Sequence, residues 1–179
     1  AETYVGELLK DEPGVDEFEN LGAFVDAYNV ALPDKEVYIN LFPEYANAAT
    51  QLKTDYEDYI NQYLQKVETK SLSYDYYGLH KNGGIFNDFY SNLDLVRSKT
   101  LDKRMPFWVI TQGGMAGSAK YPTEKEQRWS VWANIAVGSK GISYFCYWTP
   151  SGGYYDDKGF PISINGEKQD TYTWIQKIN

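Results

Sequence analysis

Glu36-Val37-Tyr38-Ile39-Asn40-Leu41-Phe42 is a run of β-branched, aromatic and apolar residues broken by polar ones. Further on, Leu52, Tyr56, Tyr59, Ile60, Tyr63, Leu64 and Val67 recur at the three-to-four-residue spacing of a helix. Side chains repeat every two residues on a strand and every 3.6 on a helix, so this change of period marks a βα unit. The same change occurs five times along the chain. Strands are expected at 4–9, 36–42, 72–77, 106–112 and 141–148. The first is followed by Phe18, Leu21, Phe24, Val25, Tyr28 and Leu32, the third by Phe86, Phe89, Tyr90, Leu93 and Val96. The fourth is followed by Trp129, Trp132, Ala133 and Ala136, the last by Tyr172, Trp174, Ile175 and Ile178. Asp16 with Glu19, and Thr123 with Glu126, read as capping boxes that start the first and fourth helices. Strand and helix in strict alternation give an α/β protein with a parallel sheet.

Composition narrows the functions. A chain of 179 residues with 42% hydrophobic side chains buries one core, so 1–179 reads as a single domain. Net charge is −8 and the 17 basic residues are scattered, which argues against nucleic acid and anionic membrane surfaces as partners. Cys146 and His80 are the only residues of their types, so neither a disulfide framework nor a Cys/His metal site is expected, and no cofactor is implied. No run of about 20 apolar residues is present to span a bilayer. Nothing in the chain distinguishes a cytoplasmic from a secreted location. The 17 tyrosines and 5 tryptophans suit either core packing or stacking on sugar rings.

In parallel βα folds the ligand site is built at the carboxyl ends of the strands. Those positions hold Asp11, Glu12 and Pro13, then Asn40 to Tyr45, Asp75 to Gly78, Thr111 to Gly114, and Tyr147 to Pro150. Asp11-Glu12-Pro13 resembles the Asn-Glu-Pro signature that ends strand four of clan A glycoside hydrolases. Ser73-Tyr74-Asp75-Tyr76-Tyr77 is similar to the end of strand six in family 42 β-galactosidases and their uncharacterised relatives, and 141–148 to their strand eight. The resemblance implies a partial (β/α)8 barrel, its five βα units being strands four to eight in sequential order, truncated at both ends. It implies carbohydrate as the ligand, Glu12 as general acid/base and Trp148 as the floor of a sugar subsite. Asp11, Asn40, Asp75, Tyr77 and Gln112 are the candidate polar lining.

One departure stands against this pattern. The nucleophile of such enzymes ends strand seven, where this chain has Thr111 and Gln112. Asp75 or Glu44 acting as nucleophile or base, assistance from a substrate group, and binding without cleavage all remain open. So do two other readings: a degenerate barrel that binds carbohydrate without cutting it, and a doubly wound domain for a nucleotide or partner. The second lacks a nucleotide fingerprint, because the glycine-rich 113–117 carries no phosphate-binding lysine. Five barrel strands expose two sheet edges, so the missing strands or a second copy of the chain is the expected partner, and the isolated segment is expected to be inactive.

Overall fold

The computed structural model describes residues 3–114, 120–152, 155 and 158–179. Positions 115–117 of the glycine-rich segment therefore lie outside the described residues. Five strands, β1 (Gly6–Asp11), β2 (Glu36–Leu41), β3 (Leu72–Tyr76), β4 (Phe107–Gln112) and β5 (Gly141–Phe145), pair in the order β1-β2-β3-β4-β5. They are parallel and alternate with α1 (Phe18–Ala31), α2 (Tyr56–Lys66), α3 (Phe89–Asp102), α4 (Glu124–Val137) and α5 (Asp170–Ile178). This is a partial (β/α)8 barrel. A doubly wound sheet reverses its strand order part-way, and this one does not, which removes the nucleotide-domain alternative.

The chain divides into two compact units. The first comprises Ala1–Asp75 with Ser91–Trp108. Its core is aromatic: Phe18 of α1 lies 5.2 Å from Tyr59 and 5.5 Å from Tyr63 of α2, ring centre to ring centre. Val37, Ile39 and Leu41 of β2 are buried with them. The alternate positions of β2 and β3 carry the polar groups, Tyr38 and Asn40, then Ser73 and Asp75. Helix α2 starts at Asp55, whose carboxylate accepts the Asp58 amide at 2.9 Å.

Asp16 was expected to cap α1 and does not. It pairs instead with Lys53 at 2.5 Å, and a 3₁₀ turn at Val15–Glu17 precedes the helix, with Glu17 reaching back to the Gly14 amide at 3.2 Å. The reciprocal pair forms two residues earlier than expected, the Glu17 amide donating to the Gly14 carbonyl at 3.0 Å.

The second unit comprises Tyr76–Tyr90 with Val109–Asn179. Helix α4 begins at the expected Thr123–Glu126 box and ends on Gly138, which adopts φ 118°. Its inward face is not the tryptophan stripe. Gln127, Ser130, Val131 and Asn134 are buried, whereas Trp132 is half exposed. Two of the polar residues on that face have local partners: Ser130 Oγ meets Thr111 Oγ1 at 2.5 Å, and Asn134 donates to the Ser130 carbonyl at 2.8 Å. Strand β5 stops at Phe145, three residues short of the expected 148, because Tyr147 and Thr149 turn their backbone bonds to Ile162. An open groove of about 370 Å³ lies beside it, lined by Tyr144, Tyr147, Tyr172 and Ile175 among others.

Strand β3 is buried throughout, whereas β1, the first strand in the order, leaves Leu8 60% exposed with Val5 beside it at 72%. A strand edge without a neighbour, exposing Leu8, is a template for another strand. The 179-residue chain alone is therefore expected to self-associate, and Leu8→Lys to return it towards monomer in sedimentation velocity. A monomer before the substitution would count against that use of the edge.

Candidate functional site

The residues at the ends of β1, β2 and β3 converge through one side chain. Asn40 Nδ2 donates to Asp75 Oδ1 at 2.8 Å and to Asp11 Oδ1 at 3.0 Å, and its Oδ1 accepts from Ser73 Oγ at 3.2 Å. Ser73 Oγ, its own proton directed at Asn40, lies 2.5 Å from the Tyr38 hydroxyl and accepts from it. Both amide protons of Asn40 are thus spent on carboxylates, which fixes the orientation of both. The Glu12 and Asp75 carboxyls are within hydrogen-bonding reach of each other, so four of the seven candidate residues form one cluster.

Asp11 and Glu12 are consecutive, and on a regular strand their side chains would leave opposite faces. Two irregularities bring both to one side. Leu8 pairs with Tyr38 but Lys10 with Ile39, so β1 carries one extra residue, a β-bulge, and Asp11 falls opposite Asn40. Lys10 turns away to Glu17 at 2.6 Å. Glu12 then adopts φ 49°, left-handed backbone that costs a non-glycine residue about 1–2 kcal/mol. A residue before proline is also pushed towards extended backbone, so Pro13 opposes this conformation.

The turn is held from both flanks. The Glu12 amide donates to the Asn40 carbonyl at 2.8 Å, and the Pro13 carbonyl accepts from the Tyr59 hydroxyl at 2.8 Å. The same hydroxyl accepts the Phe42 amide at 3.3 Å at the end of β2. Tyr59 is fully buried, and leaving either backbone group unpaired there costs about 1–3 kcal/mol.

Burial sets the electrostatics. Asp75 is 2% exposed. Desolvation, followed by the charge of Glu12, outweighs the bond from Asn40, with Asp11 adding to the rise. Its carboxyl is pushed up from 3.8 to about 8. Glu12, half-buried, is also raised, first by burial and then by Asp11, while its hydrogen bond with Asp75 pulls it back. Asp75 therefore keeps its proton at neutral pH, and the two carboxyls titrate as a pair rather than as independent acids.

The other candidates sit in the second unit, each with its own surroundings. Both ends of the Gln112 amide are engaged with backbone: Oε1 accepts from the Leu79 amide at 3.2 Å, and Nε2 donates to the Lys120 carbonyl. It braces two loops. Tyr77 packs its ring against Phe145 at 5.7 Å. Trp148 is 53% exposed just past β5. Glu44, in the first unit, accepts from Ser91 Oγ at 3.0 Å, and its amide donates to Asn92, which ties the loop after β2 to the start of α3.

Sequence reasoning missed three participants. Ser73 and Tyr38 stand two residues before Asp75 and Asn40, a period-two signal that was there to read. Tyr59 gave no signal, because a tyrosine on an apolar helix face looks like core.

No protein-family model and no curated protein matches the chain. Solved structures do. A β-galactosidase from the psychrophilic Marinomonas ef1 aligns with TM-score 0.64 at 11% identity, covering 92% of this chain and 26% of that one. The β-galactosidase of Bacillus circulans sp. alkalophilus gives 0.63 at 16%, covering 92% and 23%. That of the Antarctic haloarchaeon Halorubrum lacusprofundi gives 0.61 at 17%, covering 90% and 25%. The chain spans about a quarter of each of these enzymes. Five parallel strands in sequence order, alternating with helices and superposing on these chains, give this protein the glycoside-hydrolase-like fold of a partial (β/α)8 barrel.

Proposed function

We propose that this chain is part of a glycoside hydrolase of β-galactosidase-like type in which Glu12 is the general acid/base. The observation that carries the reading is the Glu12–Asp75 pair, which keeps a proton at neutral pH where an ordinary carboxylate would have lost it. Cleaving a glycosidic bond requires such a proton for the leaving oxygen. Glu12, the more exposed member, delivers it, and buried Asp75 retains it between turnovers. Asp11, exposed and oriented by Asn40, is the acceptor for a sugar hydroxyl.

Contact between the two carboxyls bears on the mechanism. A retaining pair stands about 5–5.5 Å apart and an inverting pair about 6.5–9.5 Å, with sugar or water between them. Asp75 within hydrogen-bonding reach of Glu12 is thus a proton partner rather than the opposing nucleophile or base. A second reading, a barrel that binds carbohydrate without cleaving it, is favoured by the end of β4, where Thr111 and Gln112 stand in place of a carboxylate and are both engaged elsewhere.

Glu12→Gln in the intact protein is expected to lower kcat for an aryl β-galactoside by about 10²–10⁴-fold while sugar affinity is kept. Equal turnover in the two proteins would take Glu12 out of the chemistry, and no turnover with saturable sugar binding would favour the second reading.

The pH dependence has a definite sign. Activity that needs the shared proton is present below about 8 and lost as pH rises through it. In Asp75→Asn, Glu12 titrates beside a neutral donor, so this alkaline limb moves to lower pH. Stability follows the same group. Folded Asp75 binds a proton that the unfolded chain releases near 3.8, so the wild-type urea midpoint falls as pH rises from about 4 to about 8. Asp75→Asn should flatten that slope, and a parallel pair of curves would contradict the assignment.

Glu12→Gly should abolish activity yet stabilise the fold by about 1 kcal/mol, because glycine accepts φ 49° without steric cost. A destabilised variant in chemical denaturation would show that the turn carries no such strain.

A further inference from the structure

Glu12 meets Asp75 only because its backbone is held where neither its own side chain nor the following proline prefers it. Released, the residue before Pro13 relaxes towards extended backbone, and strand alternation then sends its carboxyl to the face opposite Asp11, away from Asp75. The amide side of the turn is fixed by the Asn40 carbonyl, a bond that continues the β1–β2 ladder. The carbonyl side has left the sheet, and Tyr59 takes it up there.

That hydroxyl is well placed for the task. Its ring stacks on Tyr56 at 6.1 Å, tilts against Phe18 at 5.2 Å and lies 6.4 Å from Phe42, so packing holds it on three sides. It donates to Pro13 and accepts from Phe42, joining the turn after β1 to the end of β2.

We propose that Tyr59 is a positioning residue for Glu12: its hydroxyl locks the left-handed turn that keeps the Glu12 carboxyl against Asp75. The inference rests on the reading of Glu12 as the acid for its catalytic consequence, but the geometry it asserts is independent of any reaction. Tyr63 supplies the internal control. It lies one helical turn further along α2, is equally buried, and its hydroxyl bonds Thr69 at 2.9 Å, so deleting that hydroxyl disturbs the same core without touching the turn.

The test compares Tyr59→Phe and Tyr63→Phe with the unmodified protein, following carbon-13 carboxyl resonances of Glu12 and Asp75 across pH. Tyr59→Phe should lower the upper step, about 8 in the unmodified protein, by about one unit or more as the charge of Glu12 withdraws from Asp75. Tyr63→Phe should leave it in place. With an aryl β-galactoside, Tyr59→Phe should lower kcat about tenfold with KM nearly constant. An unshifted Asp75 titration in Tyr59→Phe, or an equal shift in Tyr63→Phe, overturns the proposal. Absence of turnover in the unmodified protein would instead defeat the hydrolase reading, with the titration still deciding the role of Tyr59. Should Tyr59→Phe fail to fold, hydrogen exchange of the Tyr59 hydroxyl in the unmodified protein decides. Exchange only on global unfolding supports the clamp, and rapid exchange through local opening overturns it.

Discussion

A carboxyl group that folding removes almost wholly from water must be neutralised, paired or well supplied with donors. Asp75 is such a group, and most of what is distinctive in the first unit answers its requirement. Asn40 gives it one amide proton, Glu12 shares a proton with it, and Ser73 with Tyr38 orients the amide from behind. Each answer depends on the register of β1, β2 and β3, so the sheet and the site are specified together. Conversely, the site weakens the fold where the proton is lost, which is the usual relation between stability and a functional carboxyl pair.

The architecture was legible because hydrophobic period is a strong signal and recurs here five times. Strands β2 and β4 begin or end within a residue of where the pattern places them, and α4 starts at its capping box, since that motif satisfies its own amides and needs no help from the rest of the chain. Features that depend on neighbours were not legible. Asp16 lost its capping role to Lys53, a residue far along the chain. Ser130 on the inward face of α4 is paired with Thr111, and no count of apolar residues along a helix contains that partner.

The site was read in part for the same reason. Asp11, Glu12, Asn40 and Asp75 were singled out as strand-end polar residues, and the parallel sheet sets them side by side. Their mutual chemistry was hidden, since it turns on a bulge and a left-handed residue that leave no compositional trace. On a regular strand Asp11 and Glu12 would diverge, and the bulge together with a φ of 49° at Glu12 reverses that. Gln112 shows the opposite case: an amide at a strand end that suggested a ligand contact is consumed in joining Leu79 to Lys120.

The extra residue in β1 has a consequence for how this segment tolerates change. Leu8 and Lys10 face consecutive partners, Tyr38 and Ile39, so Leu9 is one residue of slack in the ladder. Removing it would leave a regular strand in which Lys10 still faces Ile39 and Asp11 still faces Asn40. A further residue inserted there and not absorbed by the bulge would instead bring Lys10 opposite Asn40, a basic group where the acidic one now stands.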